Sequence, residues 1–183
     1  MAGKRKSNSV SYRIAPITLP GLRTTREVFP VERIVSGGQT GVDRAALDFA
    51  LAHGIPHGGW CPLGRLAEDG SIAANYELKE TPDTAYSQRT EWNVRDADVT
   101  VILSVARRLT GGSALTQKLA RKLGKPCLHL AQSLEGSQAP AKLLAFLQRH
   151  HAKVLNVAGP RLSTEPGARA FATQVLEALW PQS

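Results

Sequence analysis

Three short stretches combine glycines with side chains able to hold an anion: Ser36-Gly37-Gly38-Gln39-Thr40-Gly41, Thr110-Gly111-Gly112-Ser113 and Asn156-Val157-Ala158-Gly159-Pro160-Arg161. Glycine lets backbone approach a ligand closely, and the N-terminus of a helix offers unpaired N–H groups with partial positive charge. Phosphate or another oxyanion is the natural guest of such loops. Their polar dressing points the same way, since bare turns need none of it: Gln39, Thr40, Asp43 and Arg44 on the first, Ser113 and Thr116 on the second, Asn156 and Arg161 on the third. Arg161 is the strongest phosphate contact, because a guanidinium fork grips phosphate bidentately. Arg44 falls in the first turn of the following helix, where the dipole disfavours a cation, so an anionic partner is expected. Gly38 is expected where backbone meets phosphate, so that Gly38→Val blocks binding sterically and leaves every charge in place. The first loop matches neither G-x-G-x-x-G nor G-x-x-x-x-G-K-[ST], and ATP hydrolysis of the P-loop kind is not expected.

The elements that must position these loops alternate. Glu32 to Val35 reads as a strand, followed by a helical stripe of Val42, Ala45, Ala46, Phe49 and Ala50 that stops at Gly54. Gly58 to Glu80, rich in glycine, proline and charge, reads as a long loop, and a helix containing Arg89, Trp92 and Val94 follows Pro82. Val99 to Ser104 is a continuous apolar, β-prone run, as for a strand covered on both faces. A helix through Leu115, Leu119 and Leu123, a strand from Pro126 to Leu130, a helix around Leu143 to Leu147, a strand from Lys153 to Val157 and a final helix through Phe171 and Leu176 complete the chain. The pattern implies an α/β, Rossmann-like, three-layer domain with a mainly parallel sheet of about five to six strands. In such a sheet all three loops emerge at the carboxyl edge, where ligands bind.

The chain has 183 residues and suits one domain. The net charge of +8 is concentrated at one end: Lys4, Arg5, Lys6, Arg13, Arg23 and Arg26 all precede the first acid, Glu27. Without those six, 17 basic residues face 15 acidic ones, a balance of +2. Residues 1–30 therefore read as a basic, disordered leader, and 31–183 as the domain. No specific nucleic-acid partner is expected, nor a membrane span. Cys61 and Cys127 have neither metal-ligand spacing nor a disulfide framework, so no metal bound by side chains is expected and a cytoplasmic setting is. Glu68 and Asp69 form a carboxylate pair outside the glycine loops. Trp60 reads as a core residue, an oligomer contact or a stacking platform.

Ser36 through Leu47 resembles the opening motif of the molybdenum carrier family of circularly permuted YpsA-like proteins. Gly59 to Arg65 and Ala67 to Gly70 resemble its second block. Arg89-Thr90 with Asn93-Val94 and Asp96-Ala97-Asp98, then Gly111-Gly112, then Asn156 to Arg161 follow in order. The resemblance covers Val31 to the C-terminus and implies a Rossmann-like fold of the SLOG superfamily. It also implies a homo-oligomer, dimer or tetramer, and a site for a small phosphorylated ligand: molybdenum cofactor (molybdopterin) or a related nucleotide, carried and protected. A phosphoribohydrolase of the LOG type is the alternative, a nucleotide-sensing module without catalysis a third reading. Arg89 is similar to the LOG arginine, but Lys118 stands where the LOG glutamate would fall.

Overall fold

A computed structural model describes residues 31–180; the leader over 1–30 lies outside the described residues. Strands β1 (Arg33–Val35), β2 (His57–Cys61), β5 (Leu78–Glu80), β6 (Val99–Ser104), β7 (Cys127–Ala131) and β8 (Val154–Ala158) form one sheet of order β5-β2-β1-β8-β6-β7. Every pairing in it is parallel. A separate hairpin joins β3 (Leu66–Ala67) to β4 (Gly70–Ser71). The helices are α1 (Val42–Ala52), α2 (Tyr86–Asp96), α3 (Gly111–Lys122), a short α4 (Gln132–Glu135), α5 (Ala139–Arg149) and α6 (Pro166–Glu177). No helix of the described residues is long and apolar enough to cross a membrane.

The two faces of the sheet differ in chemistry. Val99, Val101 and Leu103 of β6, Leu155 and Val157 of β8 and Ile34 of β1 share one apolar cluster with α1, α5 and α6. Phe49, Leu143, Phe171 and Leu176 are among its helical members, each contributing about 1.5–3 kcal/mol by burial. Because side chains alternate along a strand, Thr100 and Ser104 of β6 and Asn156 of β8 face the opposite side, toward α2 and α3. All three are buried. Asn156 Nδ2 donates to Thr100 Oγ1 at 3.2 Å. A polar floor beneath two helices is where a ligand site can form without breaching the main core.

The stretch Gly58 to Glu80, expected as loop, instead holds β2, the hairpin and β5. His57 opens β2, and its Nε2 accepts the Glu77 amide at 3.3 Å. Gly59 has no side chain because a Cβ there would lie 2.2 Å from the Ser36 carbonyl oxygen and 2.7 Å from Asn93 Oδ1. Asn93 of α2 fills that space, accepting the Trp60 amide at 2.8 Å and donating to the Trp60 carbonyl at 2.9 Å. Gly59, which argues against a strand, is what lets a helix dock on it.

Candidate functional site

The loops following β1, β6 and β8 meet at the carboxyl edge of adjacent strands and enclose a cleft of about 400 Å³. Of the residues singled out from sequence, Gly37, Gln39, Asp43, Arg89, Gly111, Gly112, Ser113, Thr116, Asn156, Gly159 and Arg161 line it. Thr90, Asn93 and Glu165 join them. The cleft thus lies between α2 and α3, above the polar face of the sheet.

Ser36, Gly38, Thr40, Gly41 and Arg44 stand behind this surface, each for a local reason. Ser36 donates to the Val157 carbonyl at 2.7 Å. Gly41 has φ of 79°, and a Cβ on it would lie 2.4 Å from the Pro160 carbonyl oxygen, so glycine here brings the first and third loops together. Gly38 faces inward, a Cβ meeting Leu78 Cδ1 at 2.5 Å and Ile72 Cδ1 at 3.0 Å. The expected approach of Gly38 to phosphate is therefore corrected: its missing side chain makes room for an apolar cluster. Arg44 finds its anionic partner in the protein, pairing with both oxygens of Asp69 at 2.8 and 3.0 Å. That pair ties the hairpin to α1, and the guanidinium holds the Asp69 carboxyl below the usual range.

Glu68, one of the carboxylate pair outside the glycine loops, is a junction. It accepts from Thr40 Oγ1 and from the Ser163 amide and hydroxyl, and lies 3.8 Å from Arg161 Nε. Thr40 Oγ1 in turn accepts the Leu162 amide at 3.1 Å. Hairpin, first loop and third loop are thereby joined, and donation from the Ser163 and Thr40 hydroxyls holds the Glu68 carboxyl below its ordinary pKa. Only the family block signalled this role; composition could not.

Asp43 is buried and receives Arg89 at 2.9 Å and the Gln39 amide at 3.3 Å. Burial pushes its carboxyl above the usual range, against the pull of Arg89. The tip of the guanidinium occupies the space a side chain on residue 37 would need, since a Cβ on Gly37 would sit 1.4 Å from Arg89 Nη1. Arg89 and Arg161 each approach the ring of Tyr86, at 5.9 and 5.7 Å. Opposite them, α3 begins at Thr110 without a side-chain cap. Its first amides have no intrahelical partners. Gly112 there has open space where a Cβ would be. Glu165 Oε2 accepts the Val105 and Ala106 amides at 2.7 and 3.2 Å. Trp60 lies outside the cleft, edge-on to Trp92 and bonded to Asp96 at 2.7 Å.

A parallel sheet covered on both faces, with glycine-bearing loops gathered around a polar cleft at its carboxyl edge, defines a Rossmann-like domain. Residues 34–180 match the Circularly permutated YpsA SLOG family, and the chain belongs to that family. It is similar to the crystal structure of the "Putative molybdenum carrier protein" of Syntrophus aciditrophicus SB. The two are 47% identical with a TM-score of 0.79, over 82% of this chain and 95% of that one. No curated protein matches. The strand order agrees with a permutation: counted cyclically from β6, the order reads 2-1-3-4-5-6. That is a doubly wound sheet with its switch point between β6 and β8, directly under the cleft.

Proposed function

We propose that this chain binds, carries and protects a phosphate-bearing pterin or nucleotide cofactor in this cleft, with molybdenum cofactor as the leading ligand. The observation that carries the reading is the start of α3, where uncapped amides and an unfilled Gly112 face the cleft across from Arg161. Glycine in a helix costs roughly 0.5–1 kcal/mol relative to alanine, and among the described residues nothing beyond its own helix claims the space at Gly112. A phosphate would. The name of the Syntrophus relative supports the choice of cofactor. Gly111, Gly112, Ser113 and Arg161 would hold its phosphate, and the polar wall of Gln39, Asn156 and Thr116 would face its heterocycle. The cofactor, when bound, supplies its own metal. Among the described residues no group of three or more His, Cys, Asp or Glu is placed to hold one. The reading extends to a homo-oligomer, as the family resemblance implies, in the cytoplasmic setting read from the cysteine usage.

Native mass spectrometry of protein purified without added ligand should show a co-purifying phosphorylated small molecule. Arg161→Ala should weaken that compound, or inorganic phosphate, by about one to two decades, the loss of a charge-assisted contact. Titration calorimetry at low and high salt checks this, because the loss should shrink as ionic strength rises. Wild-type affinity in a folded Arg161→Ala protein would remove Arg161 from the site.

Hydrolysis of the LOG kind is disfavoured by two observations. Lys118 is exposed on the far side of α3 from Thr116 and does not line the cleft. The carboxylates that do, Asp43 and Glu165, are engaged by Arg89 and by backbone amides. Release of base from AMP, GMP, IMP or CMP, followed by chromatography, should be absent or very slow. Robust turnover co-purifying with the protein would promote the enzyme over the carrier.

A further inference from the structure

Gln39 is 5% exposed and lines the cleft. Its Oε1 accepts two backbone amides, from Thr40 at 3.0 Å and from Glu68 at 2.9 Å. Two N–H donors on one atom leave no freedom to exchange oxygen and nitrogen, so the orientation of the carboxamide is set by the protein. Its NH2 group is then left over: Nε2 is buried and has no acceptor among the described residues. A buried donor without a partner costs about 1–3 kcal/mol, and a native site keeps such a group where a ligand satisfies it. The missing partner is an acceptor. A ring oxo oxygen is such an acceptor, and the Asp43 carboxylate that accepts the Gln39 amide is already paired with Arg89.

We propose that Gln39 sets the specificity of the cleft by donating its side-chain NH2 to an oxo group of the bound heterocycle. The cleft then selects oxo rings of the guanine, hypoxanthine or pterin type over amino rings of the adenine type. This rests on the reading that the start of α3 holds the ligand's phosphate, which leaves the ring to reach the loop after β1. An amino group at the same position presents hydrogens to the Gln39 hydrogens and leaves Nε2 unsatisfied, the kind of mismatch that polar sites reject strongly.

IMP and AMP share ribose and phosphate and differ at the six-position of the ring, oxo against amino. Calorimetry on the wild-type chain at pH 7.5 should give IMP tighter than AMP by about 10- to 100-fold, the worth of one such hydrogen bond. Gln39→Glu keeps the acceptor for Thr40 and Glu68 and exchanges the free donor for an acceptor. In that variant, shown folded by its melting curve, the IMP to AMP ratio should collapse toward unity or reverse. Equal wild-type affinities for IMP and AMP overturn the proposal, as does a ratio that survives Gln39→Glu. Binding of inorganic phosphate without either nucleotide also overturns it, yet leaves the phosphate reading of α3 standing. Failure of all three probes takes down both.

Discussion

Replacing Arg89 by alanine is expected to destabilise the folded chain by about 3–5 kcal/mol, the cost of breaking a buried pair by removing one partner. The side chains of Arg89 and Asp43 are only 14% and 6% exposed, and their contact is 2.9 Å long. Without the guanidinium, Asp43 keeps the Gln39 amide at 3.3 Å and no counter-charge. At about 2–4 °C per kcal/mol the melting temperature should fall by roughly 6–20 °C. The sign of the pH dependence is set by burial, which already raises the Asp43 carboxyl above its ordinary 3.8 and in the variant is opposed only by backbone hydrogen bonds. A carboxyl with a raised folded pKa keeps its proton after the unfolded chain has released it. Its contribution to stability is therefore greatest at acid pH and declines as pH climbs from near 3.8 toward the raised folded value. Melts of Arg89→Ala at pH 4.5 and 7 should differ in that direction relative to wild type. Adding Asp43→Asn should recover much of the loss at pH 7. A single variant that melts within about 2 °C of wild type at pH 7, less than 1 kcal/mol, would show that water reaches Asp43 and that the pair is not needed for folding.

The second large effect separates two glycines that look alike in sequence. Gly38→Val should be a folding lesion. At φ of 73° a β-branched residue is strained by about 1–3 kcal/mol. Its side chain also collides with Leu78 and Ile72, overpacking worth about 1–3 kcal/mol more. A Cβ on Gly112 would meet nothing within 4 Å among the described residues beyond its own helix, so Gly112→Val should melt at or above the wild-type temperature. It should nevertheless lose inorganic phosphate and IMP, because its side chain occupies the approach to the amides of α3. Thermal melting and calorimetry on both proteins test the contrast. A stable Gly112→Val that binds phosphate as wild type does would move the anion site away from α3.

Much of this molecule is local, and local order is legible. The uninterrupted apolar run of β6, the α1 stripe from Val42 to Ala50 and the helical stops at Gly54 and Gly124 follow from short-range sterics and burial. Strand-to-helix alternation then brings the three glycine loops to one edge of a parallel sheet, so the neighbourhood of the cleft follows from order along the chain. Which way each side chain turns does not. Gly37, Gly38 and Gly112 are the same residue in similar loops. Tertiary contacts alone make one the bed of Arg89, one a gap for Leu78 and Ile72, and one an open lip of the cleft. Arg44 and Arg161 both read as anion contacts, yet Asp69, 25 residues away, claims the first. Strand β2 escaped notice because glycines at 58 and 59 erase the β signal; part of the reason for Gly59, a helix asparagine that binds the strand backbone at Trp60, lies 33 residues beyond that tryptophan. Glu68 had no local signature, since its partners come from loops on either side of it in sequence, Thr40 before and Ser163 after. Element type is encoded by neighbours within a few residues, whereas the identity of a ligand-facing atom is a residue of subtraction. It is whatever donor or acceptor the fold leaves unpaired, and pairing across 28 to 121 positions is decided only when the chain has closed on itself.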